Sequence, residues 1–141
     1  MPDTLAPGLR HEERIVVTEA LTVPAMSTCF SGFADMPPVF ATAFMVGLLE
    51  WTCVEALKPF LASGERTVGT HVDVSHCAAT PVGMAVTASV ELVEVDGKRL
   101  RFVVECYDSQ ELIGAGTHER YIVDGDRFIA RVSQKALAQT A

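Results

Sequence analysis

The longest apolar run in the chain covers residues 39–64, VFATAFMVGLLEWTCVEALKPFLASG. Asp35 can cap a helix at this point, Pro37-Pro38 suits a first turn, and Ser63-Gly64 suits the end. A helix on a protein surface would carry a polar stripe, which this run lacks over most of its length. The pattern therefore predicts one helix of about 24 residues, covered on most of its faces and spanning roughly 36 Å.

Elsewhere, short segments rich in Val and Thr, several with alternating apolar and polar residues, predict strands on both sides of this helix. Asp96-Gly97 is a strong signal for a two-residue hairpin turn, and further turns are expected at residues 108–110 and 124–126. Residues 24–38 form a long irregular segment, and loops of this length are often lids or binding loops. The predicted strands are Arg14–Val23 before the helix and, after it, Val68–Val74, Val82–Val95, Arg99–Tyr107, Glu111–Val123 and Arg127–Val132.

The element order is a strand, a long helix and then four or five antiparallel strands. A sheet of five or six strands has one buried face, and curling it around the apolar helix gives a hot-dog fold of the α+β class. A single domain over residues 1–141 is expected, with residues 1–11 as a loose leader because they hold few large apolar residues. One sheet cannot surround the helix, so the remaining apolar surface predicts a dimer partner or an acyl pocket.

Composition and charge exclude several classes of protein. Hydrophobic residues make up 49% of the 141 residues, and 11 Lys and Arg against 18 Asp and Glu give a net charge of −7. Such a chain is too apolar to be mainly disordered and too acidic to be a general nucleic-acid binder. A membrane span is not expected, because the longest stretch without Lys, Arg, Asp or His contains two Glu residues.

The four cysteines, Cys29, Cys53, Cys77 and Cys106, are widely spaced and form no CxxC pair. Structural zinc is therefore not expected, and no metal site is predicted. The first residues lack a basic start followed by an apolar run, so a secretory signal is not expected either. A cytoplasmic location with reduced, buried and inert thiols is the resulting prediction.

Glu50 is the only charged residue between Val39 and Val54. Burying an ionised carboxylate requires hydrogen bonds, a cation or a raised pKa, and such groups concentrate at functional sites. Two interpretations follow: Glu50 is a functional buried acid, or the helix turns it to solvent beside Lys58. The apolar surroundings favour the first.

Thr42 and His76 are further candidates for chemistry. Thr42 lies eight residues before Glu50, which places it about 80° around and near 12 Å along a helix. The two can face one cleft, or Thr42 can work with Glu50 of another subunit; alternatively Thr42 only bonds the first helical turn. His76 is at a strand end, where it is either a functional group or satisfied by local backbone.

His118 and Arg120 share one face of a predicted strand, while a solvated face is the simpler interpretation for His118. Gly69 within a strand pattern permits close backbone approach to a ligand, or marks a bulge. The cations Lys98, Arg99 and Arg101 follow the hairpin turn and are either phosphate contacts or a solvated tip. No dinucleotide-binding, P-loop, zincin or serine-hydrolase motif is present in the sequence.

Three segments together resemble the fluoroacetyl-CoA thioesterase group of hot-dog proteins. They are the helix VFATAFMVGLLEWTCVEALKPFL, the strand VGTHVDVSHCAATPVG and the segment IGAGTHER, and the resemblance runs from about Val23 to Lys135. It implies a hot-dog fold, a homodimer or higher homo-oligomer, and hydrolysis of a short-chain acyl-CoA thioester, with CoA as part of the substrate and no separate cofactor. Alternatives are a non-catalytic acyl-CoA binding or sensing protein and an enoyl-CoA hydratase or dehydratase.

The resemblance also assigns site residues. The catalytic Thr, Glu and His of the family fall on Thr42, Glu50 and His76, and its substrate-contacting Gly and Arg fall on Gly69 and Arg120. A lid before the helix falls on Phe33 to Met36. The member that gives the group its name carries an aromatic residue at position 36, so Met36 predicts a more flexible and less selective lid.

Overall fold

The computed structural model describes residues 4–139. Within them, five antiparallel strands form one curled sheet in the order β1-β3-β4-β5-β2. The strands are β1 (Arg10–Val16), β2 (Glu65–Val74), β3 (Ala85–Asp96), β4 (Arg99–Asp108) and β5 (Leu112–Asp124), and the α-helices are α1 (Thr42–Leu57) and α2 (Gly125–Ala138). This arrangement confirms the predicted α+β hot-dog fold.

The core lies between one face of α1 and one face of the sheet. The helix contributes Met45, Leu48, Leu49, Cys53, Ala56 and Leu57, and the sheet contributes alternate residues such as Val90 and Leu92 of β3 and Leu100, Phe102 and Val104 of β4. The opposite side of α1 is open within one chain, where Thr42, Ala43 and Gly47 are exposed and Trp51 keeps 42% of its surface. The prediction of a helix covered on most faces is therefore wrong for the single chain.

The helix α1 is shorter than predicted, with 16 residues. Residues 39–41 are extended rather than helical because distant backbone binds them: the Phe40 amide donates to Thr80 O at 2.9 Å, and the Ala41 amide donates to Leu21 O at 3.0 Å. Ala41, not Asp35, is the N-cap. At the other end Pro59, which has no N–H to donate, lies in a single 3-10 turn over Lys58–Phe60.

The first strand also differs from the prediction, since β1 covers Arg10–Val16 and pairs with β3, whereas the chain after it forms 3-10 turns at Glu19–Leu21 and Val23–Thr28. Part of the expected leader is consequently ordered. Leu5 and Leu9 pack against the core, and the Leu92 amide donates to Leu9 O at 2.8 Å. Residues 1–3 lie outside the described residues.

The predicted last strand, Arg127–Val132, is wrong because these residues belong to α2. Asp124 ends β5 and caps the helix, its carboxylate accepting the Arg127 amide at 3.0 Å. Asp and Gly favour both turns and helix starts, so the triplet at residues 124–126 does not distinguish a turn into a strand from the start of a helix. The spacing of Phe128, Val132 and Ala136 at intervals of four is the helical signal.

Candidate active site

Thr42 and His76 meet at one end of α1. Thr42 is the first residue of the helix and is exposed, and His76 follows the end of β2 by two residues. The Thr42 hydroxyl and His76 Nδ1 form a hydrogen bond of 2.7 Å across 34 residues of sequence. The simpler interpretations, a hydroxyl that only bonds the first turn and a histidine satisfied by local backbone, do not describe this pair.

The surroundings of His76 keep its ring neutral. Burial lowers the pKa of this imidazole below its ordinary value of 6.5. The ring of Phe40 stands edge-on to it at 6.5 Å between centroids, and Nε2 is buried without a hydrogen-bond partner among residues 4–139. A neutral imidazole beside a hydroxyl is the arrangement that a general base requires.

Glu50 and Arg120 form a second group, two turns further along α1. Glu50 Oε2 accepts a 2.9 Å hydrogen bond from Arg120 Nη1, between side chains that are 39% and 6% exposed. Lys58, the cation expected beside a solvent-facing Glu50, pairs with Glu55 instead, at 2.8 Å. Glu50 is therefore a half-buried acid held by a buried guanidinium.

Thr67 fixes the Arg120 guanidinium in place. Arg120 Nε donates to Thr67 Oγ1 and Nη2 donates to Thr67 O, both at 2.9 Å. Two bonds to one residue of β2 give the planar guanidinium a single orientation. Sequence reasoning missed Thr67, which no local signal separates from the other Thr residues of the strands.

His118 is buried, with 2% of its surface exposed, so the interpretation as part of a solvated strand face is wrong. Its Nδ1 donates to His71 O at 2.7 Å, which leaves Nε2 to accept from Arg120 Nη1 at 3.2 Å. Burial, and next the Arg120 charge, hold the pKa of His118 below 6.5 although the His71 carbonyl opposes the shift. His118 is thus a neutral support for the Glu50–Arg120 pair.

Gly69 leaves the space in which this second group sits. A Cβ at this position would lie 2.6 Å from Glu50 Oε2 and 3.3 Å from both Arg120 Nη1 and His118 Cε1. The strand is also irregular here, since the register with β5 shifts between Gly69 and His71. Both sequence interpretations of Gly69, a bulge and a close approach, agree with the structure, and the approaching groups are the protein's own side chains.

One chain does not bring the two groups together. Within residues 4–139 no hydrogen bond or ion pair joins Thr42 or His76 to Glu50 or Arg120. Thr42 and Glu50 are separated along the helix axis by about 12 Å, as eight helical residues require.

The predicted lid lies before α1. Phe33 ends a 3-10 turn, Ser31–Phe33, and its ring tilts against that of Phe30 with 5.8 Å between centroids. Met36 follows and is 46% exposed. The segment predicted to be the lid thus has one aromatic ring, which contacts Phe30 just before it, and ends in a solvent-facing methionine.

Comparisons with known proteins agree with this arrangement. The family model for fluoroacetyl-CoA-specific thioesterase matches residues 17–126. The chain belongs to this family. It is 44% identical to a fluoroacetyl-CoA thioesterase from Streptantibioticus cattleyicolor over 98% of this chain and 99% of that protein.

Solved structures of thioesterases have the same fold as this family member. A structure of the fluoroacetyl-CoA thioesterase FlK is 44% identical, covers 94% of this chain and 98% of its own, and superposes with a TM-score of 0.92. A Thermus thermophilus member of the thioesterase superfamily is 29% identical over 95% and 97% of the two chains, with a TM-score of 0.84. The resemblance inferred from the three sequence segments is confirmed.

The cysteines divide into two classes, contrary to the prediction that all four are buried. Cys53 and Cys106 are buried, and burial raises the pKa of each thiol to about 12. Cys29 and Cys77 are exposed. In the described part of the chain, no group of three or more His, Cys, Asp or Glu is placed to hold a metal ion.

No helix within residues 4–139 has the length and apolar character needed to cross a bilayer.

Of the cations after the hairpin turn, Arg99 is occupied by the protein itself. Its guanidinium pairs with Glu94 at 2.6 Å, Glu119 at 3.1 Å and Asp96 at 3.3 Å. These three carboxylates favour the interpretation of Arg99 as part of a solvated hairpin tip.

Proposed function

We propose that this protein hydrolyses short-chain acyl-CoA thioesters, fluoroacetyl-CoA among them, to the free acid and CoA. The observation that carries the proposal is the 2.7 Å contact between the exposed Thr42 hydroxyl and His76 Nδ1 in a member of a thioesterase family. The neutral imidazole of His76 takes the proton of the attacking oxygen, which belongs to Thr42 or to a water molecule that Thr42 positions, as that oxygen bonds to the thioester carbonyl carbon. The C–S bond then breaks, and the CoA thiolate leaves with the proton held by His76. Where Thr42 is the nucleophile, water releases the acid from the resulting ester by the same steps. The N-terminal end of α1 begins at Thr42, and its free amides favour the developing oxyanion.

Glu50 acts as the second catalytic group, and Arg120 is the residue that positions it. Arg120 is 5% exposed and its nitrogens contact Thr67, His118 and Glu50, so it holds the carboxylate in one place. The half-exposed Glu50 oxygen can then orient water or the thioester. Gly69 leaves the space that the Glu50 carboxylate occupies, and the Gly69 backbone borders that space. This position is in line with the proposed contact between Gly69 and the substrate. Phe33 and Met36 are proposed to cover the acyl group.

A homodimer completes the site, with Thr42 and His76 from one subunit and Glu50 from its partner. The strand β2 is a sheet edge whose residues 70–73 are exposed, and a long exposed edge is a pairing surface. Thr67 and Gly69 near its start adjoin the Glu50 group, and its end leads to His76. Antiparallel pairing of β2 with its copy places the start of one strand at the end of the other, which joins the two groups.

Mixed dimers test this composition directly. Thr42→Ala and Glu50→Gln are each expected to reduce thiol release by at least about 100-fold, as the loss of an acid, base or nucleophile does. In a mixed dimer of the two variants, one of the two sites contains only native residues, so equal amounts after subunit exchange should recover about a quarter of native activity. No recovery would show that each site takes all its residues from one chain.

A substrate panel tests the reaction itself. Release of free thiol from fluoroacetyl-, acetyl- and propionyl-CoA, lost in His76→Ala, is the expected result without added metal or redox cofactor. Saturable binding of these esters without turnover would instead indicate a binding or sensing protein, and hydration of an enoyl-CoA would indicate a hydratase. An acyl group found on Thr42 by mass spectrometry after acid quenching would make it the nucleophile, and its absence would make it a residue that positions water.

We also propose a cytoplasmic location, since all four cysteines are free thiols.

A further inference from the structure

His76 lies in a loop, residues 75–84, that joins β2 to β3. The amides on either side of it, those of Ser75 and Cys77, donate to backbone carbonyls of β5 at 2.9 and 2.7 Å. These two hydrogen bonds hold the backbone of His76 against β5. Thr42 belongs to a different element, α1, so the distance between its hydroxyl and His76 Nδ1 depends on how the segment before α1 is joined to the loop.

Thr80 joins that segment to the loop. Its carbonyl oxygen accepts the amide of Phe40 at 2.9 Å, and Pro81, the next residue, forms an isolated β-bridge with the same segment. Phe40 lies two residues before Thr42, and its ring stands edge-on to the imidazole of His76. A displacement of Thr80 is therefore expected to move the start of α1 relative to His76.

The Thr80 side chain is anchored to the turn after β4. Its hydroxyl, on a residue that is 0% exposed, donates to Asp108 Oδ2 at 2.9 Å. The other carboxylate oxygen accepts the amides of Gln110 and Glu111 at 2.8 and 3.0 Å. Burial by itself raises the pKa of Asp108, but the hydrogen bonds from these two amides and from the Thr80 hydroxyl hold that pKa below its ordinary value of 3.8. Hydrogen bonds to an ionised acceptor are among the stronger ones, so Asp108 is a firm anchor for the buried hydroxyl.

We propose that Thr80 and Asp108 are positioning residues for the reaction, and that their hydrogen bond sets the distance between the Thr42 hydroxyl and His76 Nδ1. The inference rests on the proposed function, because these are the two groups between which that function places the proton transfer. Thr80 is fully buried and acts through Phe40 and the loop. It is 28 residues from Asp108 in the sequence, and no local pattern connects the two.

Thr80→Val keeps the shape of the side chain and removes the hydroxyl. A displacement of about 1 Å costs up to about 100-fold in rate, so kcat for acetyl-CoA is expected to fall by about 10- to 100-fold while KM stays within about twofold. Thr52→Val is the matched control, because Thr52 is also 0% exposed and its hydroxyl bonds within α1, to Leu48 O at 2.7 Å. Both variants lose the hydrogen bond of a buried hydroxyl and some thermal stability, but only Thr80→Val is expected to lose kcat. Thr80→Ser, which keeps a hydroxyl, should restore most of kcat, and equal kcat in the two valine variants would overturn the proposal.

Asp108→Ala removes the anchor from the other side, at a half-buried turn residue, and tests the pair even if Thr80→Val does not fold. It should lower kcat with little change in KM, and native kcat in Asp108→Ala would contradict the assignment. If the two residues act as a unit, Thr80→Val/Asp108→Ala loses no more kcat than Asp108→Ala alone. Losses that multiply in the double variant would show instead that each residue acts independently, against the proposal.

An NMR titration of the His76 ring separates this proposal from the proposed function, because it needs no turnover. The signal is identified by its loss in His76→Ala. Burial holds the pKa of His76 below 6.5, so a ring that has moved out of its place should titrate closer to 6.5 in Thr80→Val and Asp108→Ala, but not in Thr52→Val. That result supports the positioning role even if the native protein turns over no thioester. An unchanged titration together with native kcat in Thr80→Val overturns the positioning role and leaves the thioesterase intact.

Discussion

Gly69→Ala adds one methyl group at the point where the Glu50 carboxylate lies. The new Cβ would be 2.6 Å from Glu50 Oε2, and ordinary contacts of a Cβ begin at 3.4 Å, so the oxygen must withdraw by about 0.8 Å. Gly69 has no positive φ, so the backbone accepts alanine without strain. Because the clash is with the end of a long side chain, the carboxylate and not the strand is expected to move.

The consequence for catalysis is much larger than the consequence for stability. A shift of 0.8 Å away from Gly69 disturbs the 2.9 Å hydrogen bond between Glu50 and Arg120. Since Glu50 is 39% exposed, water screens the pair, and the unfolding free energy is expected to fall by no more than about 1 kcal/mol. A catalytic group displaced by about 1 Å costs on the order of 100-fold in rate, so kcat is expected to fall by about that factor.

The assay is thiol release from acetyl-CoA, with thermal unfolding of the same samples. Gly32→Ala is the control, because its Cβ meets nothing within 4 Å and its φ is not positive. We expect both variants to unfold within a few degrees of the native protein and only Gly69→Ala to lose kcat. Native kcat in Gly69→Ala would refute the view that Gly69 fixes a catalytic carboxylate.

Three further outcomes follow from the structure. Met36→Phe is expected to raise the ratio of kcat/KM for fluoroacetyl-CoA to kcat/KM for acetyl-CoA by about 2- to 10-fold, since an aromatic contact in the lid is worth about 0.5–1.5 kcal/mol. Competition assays with the two esters measure this ratio, and an unchanged ratio would contradict the lid assignment. The pKa of His118 is lowered in the folded state, so below about pH 6.5 the unfolded chain binds a proton that the folded chain does not. Acid therefore favours unfolding, and the stability of the protein decreases as the pH is lowered. The melting temperature should therefore drop less steeply in His118→Gln between pH 7.5 and 5.5, and equal slopes would contradict this. Asp124→Ala removes the cap of α2 at a cost of about 1 kcal/mol. Because no residue of α2 is buried, the rate of amide hydrogen exchange in the helix should rise about fivefold with little change in melting temperature. A large drop in melting temperature would show that α2 stabilises the core.

The elements that the sequence predicted correctly are those whose signal is local. The hairpin signalled by Asp96-Gly97 is an example: the two turn residues are Gly97 and Lys98, between the paired residues Asp96 and Arg99, and Gly97 takes the positive φ of 61° that this tight turn requires. The start of α1 is the opposite case. Val39 and Phe40 are extended because Pro81 and Thr80 pair with them, and these partners are about forty residues away. A pattern confined to residues 39–64 does not contain that information.

The composition of the Glu50 group depends on a similar long-range feature, the register between β4 and β5. The turn sets Tyr107 opposite Leu112, and the register then shifts by one residue, so that Cys106 faces Gly114. Without this shift Leu100 and Phe102, both fully buried, would face Glu119 and Thr117.

With the shift, Leu100 faces Arg120 and Phe102 faces His118. Residues opposite each other in an antiparallel pair share a face, and a slip of one residue exchanges the two faces of a strand. The irregularity therefore turns Arg120 and His118 into the core and Glu119 out to Arg99. Alternation alone correctly placed His118 and Arg120 on one face, but it could not say which face was buried. The irregularity lies at the other end of β5, yet it sets the side-chain alternation along the strand and so places the buried cation that holds Glu50.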